Sequence, residues 1–212
     1  MLLTIYAKQT EKHQTILDQM YQLRARQFSE RRGWRVVVKN GQERDHFDQQ
    51  NPLYICVVSK KGKLLASLRL LPTNKPHMLS EVFPEVMGDK KIIRHHLVLE
   101  SSRFCVDTEA AKFFGSEGIN IVTSQLLSGL FTTANAIGIK DIISVYDIYV
   151  ERVLRRAGCI FKRVGPVHKY DDLKTVAGLF NVSDNLGAEI SKDINVLEKS
   201  HLDNLQPVHH IN

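Results

Sequence analysis

A chain of 212 residues, 43% hydrophobic and 25% charged, can bury one substantial core and is too mixed in composition to be disordered or fibrous. Its net charge of +6 is concentrated in the N-terminal half; it favours anionic partners in general and names none. Three cysteines, Cys56, Cys105 and Cys159, lie far apart in apolar stretches, which predicts buried free thiols in a reducing cytoplasm rather than bridges or metal ligands.

The opening M-L-L-T-I-Y-A-K is too short an apolar run for an export signal. Residues 11 to 28 read as a helix, with Ile16, Leu17, Met20 and Leu23 at helical spacing, and the polar stretch 29 to 51 reads as a long loop. Two apolar runs, Leu53 to Val58 and Leu64 to Leu71, flank Ser59-Lys60-Lys61-Gly62-Lys63 as a hairpin would. A strand is expected at 97 to 106.

The uncharged window 118 to 139 is long enough to cross a bilayer. Ile119, Val122, Leu126, Leu130 and Ile137 nevertheless fall on one stripe, opposite Asn120, Thr123, Ser124, Ser128, Thr132 and Asn135, so the window reads as a buried amphipathic helix. Strands are expected at 141 to 146, 159 to 168 and 174 to 182, with a short helix from 148 to 157 stopped near Gly158. Helices interrupting strands and hairpins predict one α/β domain, in the broader α+β sense: three layers, with a mixed, mostly antiparallel sheet flanked by helices. The domain is expected over 1–184, with a last helix and frayed tail over 185–212.

Within these segments, Arg24, Phe28, Trp34, Asp45, Asp48, Arg69, Glu100 and Arg103 combine fixed charges with aromatics, a mixture suited to a small charged ligand. The words that carry them are R-x-x-x-F-x(5)-W (24 to 34), D-x-x-D (45 to 48), S-L-R-L-L-P-T (67 to 73), S-E-V-F-P (80 to 84) and E-S-S-R-F (100 to 104). In that order and at those distances they resemble the acyl-homoserine-lactone synthases, the autoinducer synthases of bacterial quorum sensing. The resemblance spans roughly residues 20 to 180.

It implies a fold similar to the GCN5-related N-acetyltransferases. It also implies a reaction in which an acyl group passes from a carrier thioester to the amine of S-adenosylmethionine, followed by lactonisation and release of methylthioadenosine. S-adenosylmethionine is then a substrate, and no retained cofactor is expected. Such chemistry needs a base for the ammonium, donors for a carboxylate and an oxyanion, and a dry place for the acyl chain.

Glu100 is the first choice of base, its alternative being a buried ion pair with Arg69 or Arg103. Arg69 and Arg103 join it as catalytic candidates, since guanidinium forks hold carboxylates, and Arg24 is placed with the substrate by its word. Phe28 and Trp34 offer a wall for sulfonium and adenine, or else a staple for the loop. Asp45 and Asp48 suit the ligand's ammonium or the arginines. Nothing beside them completes a ligand set, so no metal is expected.

The acyl pocket is assigned to Val122 and Leu126 of the long helix with Ser144 and Val145 of the following strand. By resemblance, Ser144 falls where a hydroxyl residue, often Thr, favours 3-oxo chains; Ser departs from that Thr and leaves the preference open. Residues 151 to 158 resemble the family's E-R-x-L-x-R-x-G word, and Arg152, Arg155 and Arg156 fit a dock for acidic acyl carrier protein.

Three other readings compete, of which a bare interaction protein is disfavoured by the intact Glu100 and the three arginines. A GCN5-type acyltransferase acting on another amine would carry a Q/R-x-x-G-x-G/A loop for the CoA pyrophosphate, and Thr108 to Gly118, T-E-A-A-K-F-F-G-S-E-G, lacks it, although acyl-CoA remains open as a donor. A nucleic-acid-binding module would gather its basic residues on one face, and here they are spread over several elements. A monomer without nucleic-acid or membrane partners is expected.

Overall fold

Six consecutive buried residues, Leu53–Val58, form strand β4, and a strand without polar alternation needs cover on both faces. In the computed structural model, which describes residues 1–6, 9–31, 34–113 and 117–186, helices supply that cover on the two sides of one eight-stranded sheet. The sheet order is β1 (Leu2–Ile5), β4, β5 (Leu64–Pro72), β6 (Val98–Val106), β7 (Asp141–Asp147), β10 (Leu173–Asn181) and β8 (Lys162–Arg163), with β9 (His168–Tyr170) also on β10.

Every pair in it is antiparallel except β6 with β7. These two pair only from Val98–Asp141 to Ser101–Ser144, although both strands continue further. Beyond that point the centre of the sheet splits, at the carboxyl ends of its parallel strands, where open sheets bind ligands.

On one face, helix α1 (Gln14–Arg24) buries Leu17, Met20 and Leu23 against Ile5, Tyr54 and Cys56. Beside it α2 (Met78–Glu81) packs over β6. The other face carries α3 (Thr108–Lys112), α4 (Gly118–Ala136), α5 (Ile148–Arg156) and α6 (Val182–Leu186), with Val122, Leu126 and Leu130 set against Leu68, Leu70 and Ile142. The result is the expected three-layer domain.

Several expected boundaries move. The helix expected over 11 to 28 is three pieces, a 3-10 turn at Glu11–His13, α1, and a π-helical Ala25–Arg31 whose wider turn carries Phe28 into the core. The loop over 29 to 51 contains a hairpin of β2 (Val38–Lys39) and β3 (Gln42–Glu43), turned at Asn40-Gly41, both with positive φ. The long helix ends at Ala136, leaving Ile137 exposed, and Thr123 and Ser124 on its supposed polar side are buried because α4 is covered on most of its surface.

The strand expected over 159 to 168 shrinks to β8 and the first residue of β9, since Gly165-Pro166 interrupts the ladder between them. The N-terminal strand β1 and the helix at Met78 lie outside the expected elements. The expected C-terminal segment begins inside α6, and residues 187 to 212 lie outside the described residues. The three cysteines are free and buried. Among the described residues no helix is long and apolar enough to cross a membrane.

Candidate active site

Three arginines and three carboxylates form one buried network between α1, β5, β6 and the segment after β2. Arg24, from the last turn of α1, grips Asp48 with both terminal nitrogens at 2.8 and 2.9 Å and gives Nε to Glu43. Arg69, from β5, holds Asp45 with both terminal nitrogens and Asp48 with Nη1 at 2.8 Å. Tyr54 donates to Asp48 at 2.8 Å. Burial alone would raise the Asp48 pKa, but the guanidiniums of Arg24 and Arg69 hold it well below the usual carboxylate range.

Asp45 and Asp48 also cap a 3-10 turn, His46–Gln49: Asp45 accepts from the Phe47 amide at 3.0 Å and Asp48 from the Asp45 amide at 2.9 Å. The D-x-x-D spacing is therefore a capping box that doubles as the acidic half of the network. Among the described residues no His, Cys, Asp and Glu grouping is arranged to hold a metal.

Arg103 enters the network through backbone geometry. Ser67 pairs with Cys105 and Arg69 with Ser102, so β6 carries one extra residue there, and Arg103 has φ +55°. This bulge turns Ser102 and Arg103 to the same face. Arg103 Nη2 then lies 2.9 Å from Glu43 and 2.8 Å from Asp45, and its guanidinium carbon sits 5.1 Å from the Phe28 ring centre. Phe28 stacks on Trp34 at 5.1 Å.

Glu100 lies three residues before Arg103 on β6 and is 1% exposed. Its oxygens accept the amides of Met78, at 2.8 Å, and Leu79, the first two residues of α2, instead of pairing with Arg69 or Arg103. Burial pushes its carboxyl up to about 7, against the lowering effect of those two amides and of the Arg69 and Arg103 charges. A carboxyl tuned to neutrality inside a cleft is the property of a proton acceptor.

One side of this network borders a cavity of about 710 Å³. Its polar mouth is lined by Phe28, Trp34, Asp45, Glu100, Ser102 and Arg103. Through the split between β6 and β7 it continues to the other face of the sheet, as an apolar arm lined by Leu127, Leu130, Phe131, Ile142, Leu154 and Phe180. A second cavity of about 750 Å³ adjoins the mouth and shares Asp45 and Arg103 with it.

The candidate residues thus divide. Phe28, Trp34, Asp45, Glu100, Arg103, Ser144 and Val145 border the cavity. Arg24, Asp48 and Arg69 stand behind it, with Arg24 and Arg69 at most 1% exposed; Arg69 holds Asp45, which does border it, while Arg24 holds Asp48 and Glu43. Val122 and Leu126 face the sheet core, and it is Leu127, Leu130 and Phe131 that α4 turns to the cavity. Ser144 donates its hydroxyl to the Ser101 carbonyl at 2.8 Å.

Glu43 joins Arg24 to Arg103 and was not singled out by the sequence; the only local signal is its place just after the Asn40-Gly41 turn. On α5, Arg152, Arg155 and Arg156 are all exposed, but Arg155 is also tied to Glu151 at 2.9 Å and lies over Phe161 at 4.5 Å.

A charged mouth, a neutral-range carboxyl and an apolar arm threading a split sheet define an acyltransferase site. A model of the autoinducer synthase family matches residues 8–190. An acyl-homoserine-lactone synthase of Agrobacterium fabrum is 32% identical over 177 residues, 84% of each chain. Among solved structures, a CoA-dependent acyl-homoserine lactone synthase, MesI, superposes with TM-score 0.74 at 25% identity over 95% of each chain. TofI, in a complex with an inhibitor and MTA, superposes with TM-score 0.72 at 26% identity, over 85% of this chain and 91% of its own. An N-acetyltransferase of Lactobacillus plantarum, 17% identical with TM-score 0.55, shares the fold alone. The chain belongs to the autoinducer synthase family, the acyl-homoserine-lactone synthases.

Proposed function

We propose that the charged mouth binds S-adenosylmethionine as a substrate, that the apolar arm takes the acyl chain of a thioester donor, and that the two meet where β6 and β7 part. The observation that carries this reading is Glu100, a buried carboxyl near neutrality at the junction of mouth and arm.

In this reading Glu100 takes the proton from the methionyl ammonium, and the freed amine attacks the thioester carbonyl. The amides of β6 and β7 beyond Ser101 and Ser144, released from pairing with each other, are the donors available to the oxyanion. Collapse of that intermediate expels the thiol and leaves the acylated amine; the methionyl carboxylate then displaces methylthioadenosine from its own side chain to close the lactone. Arg103 and Asp45 hold the carboxylate and ammonium, the Phe28–Trp34 pair faces the sulfonium, and Arg24, Glu43, Asp48 and Arg69 fix their positions.

The MTA found with TofI supports the first substrate, and the CoA dependence of MesI keeps acyl-CoA beside acyl carrier protein as donor. Exposed Arg152 and Arg156 favour the carrier protein. We take the enzyme to work as a cytoplasmic monomer without a retained cofactor, metal or nucleic acid, over a domain ending near residue 184.

The test incubates the protein with S-adenosylmethionine and a panel of acyl carrier protein and acyl-CoA thioesters, following lactone and methylthioadenosine by mass spectrometry. Both products are expected, and both should be lost in Glu100→Gln. Acylated amine without methylthioadenosine would instead mark a general acyltransferase.

A further inference from the structure

Tyr146 is the one buried phenol bordering the acyl arm, and its position follows from strand register. On β7 and β10, Ile142, Ser144 and Tyr146 share a face with Val176, Gly178 and Phe180, with Ser144 directly opposite Gly178 and Tyr146 opposite Val176. The Tyr146 ring does not stand upright over Val176 but leans along the sheet across Gly178. A Cβ built on Gly178 would lie 2.0 Å from Tyr146 Oη. Glycine at 178 is what lets the hydroxyl reach the row of Ser144.

The rest of the ring is held by Phe161 and Phe180, at 5.9 and 6.2 Å between ring centres. Tyr146 is 7% exposed, and its hydroxyl has no hydrogen-bond partner among the described residues. A buried phenol keeps such a donor only at a cost of the order that decides specificity, and it commonly meets a partner in the bound state. Ser144, the other hydroxyl that β7 brings to this face, already gives its proton to the Ser101 carbonyl. Among the described residues that border the acyl arm, Tyr146 carries the one buried side-chain oxygen with no hydrogen-bond partner.

We propose that Tyr146 is a specificity-determining residue whose hydroxyl donates to an oxygen carried on the acyl chain, so that the enzyme selects oxo- or hydroxy-substituted donors over saturated ones of equal length. This rests on the synthase reading above. A site built to donate to a substrate oxygen leaves its donor unpaired with a saturated chain, which corresponds to roughly a tenfold preference.

The test is a competition between saturated, 3-oxo and 3-hydroxy acyl thioesters of one chain length, with the lactone products quantified by mass spectrometry. The native enzyme is expected to favour an oxygenated donor about tenfold. Tyr146→Phe, which keeps the ring, should erase that ratio by losing turnover of the oxygenated donor, while Ser144→Ala should retain it. Gly178→Ala, which pushes the ring aside, should reproduce the Tyr146→Phe ratio. The proposal is overturned if the native enzyme shows no preference, if Tyr146→Phe slows all donors equally, or if Ser144→Ala removes the ratio and Tyr146→Phe keeps it. Absence of lactone from every donor would instead overturn the synthase reading itself.

Discussion

Arg103 and Glu43, sixty residues apart, are joined by two hydrogen bonds, Nη2 to Oε1 at 2.9 Å and Nε to Oε2 at 3.3 Å. The link depends on the β6 bulge, because only an extra residue with φ +55° brings the guanidinium to that face. Nη2 also reaches Asp45 at 2.8 Å, so one fork bridges two carboxylates at the edge of the cavity. Lysine is a point charge and cannot span both. Arg103→Lys is expected to lower kcat/KM for S-adenosylmethionine by about 100-fold with little change in melting temperature. Glu43→Gln should raise KM more than it lowers kcat. Equal native kinetics in both variants would show that Arg103 does not position the substrate.

The carboxyl of Glu100 gives two pH signatures. As proton acceptor it must be ionised, so kcat/KM should rise with pH through about 7. Its contribution to stability has the opposite slope. The folded state holds the proton more tightly than the unfolded chain, whose carboxyl titrates near 4.5; the group therefore carries no penalty below that pH and its full penalty above about 7, of about 3 kcal/mol. Melting temperature should accordingly fall between pH 5 and 8, with a flatter slope in Glu100→Gln. A rate profile that ignores pH over this range would remove Glu100 from the proton transfer.

Much of this was legible in the sequence, and the misses have physical causes. The hairpin around Gly62 and the α5 helix before Gly158 appear as read, because turn glycines and apolar periodicity act locally. The ordered words located the polar residues but not their depth. Spacing alone could not show that Arg24 and Arg69 stand behind Arg103, since the order of layers depends on a bulge in β6 and a widened turn after α1. The Asn40-Gly41 dipeptide was a hairpin signal inside a segment read as loop, and following it would have placed Glu43 on a strand beside Arg24. Val122 and Leu126 share the apolar stripe of α4 with Leu130, and no periodicity separates the part that meets the sheet from the part that meets the cavity.

Removing Arg24 should unfold the network from its sealed end. Arg24→Met would leave Glu43 and Asp48 buried without that guanidinium, a loss of roughly 3–5 kcal/mol in urea unfolding at pH 7. The Asp48 pKa is depressed in the folded protein, so its stabilisation is present above the unfolded carboxylate value and lost as pH falls below about 4. The difference between native and variant should narrow in that acid range. A difference that stays constant with pH would place the loss in packing rather than charge.

The exposed arginines of α5 separate the two donor classes. Arg152 and Arg156 project beside Val153 and Tyr149, which are 42% and 62% exposed, giving a basic and apolar surface fit for an acidic protein. Arg155 is engaged with Glu151 and Phe161, so changing it would disturb α5 itself. The double substitution Arg152→Glu with Arg156→Glu should therefore raise KM for acyl carrier protein thioesters by about tenfold or more, chiefly through slower association. Salt should raise that KM in the native protein and change it less in the variant. The effect on acyl-CoA turnover should be much smaller, because a small thioester needs only the cavity. An equal rise in KM for both donors would show that these arginines act through the fold of α5, and no rise for the carrier protein would move its dock to another face.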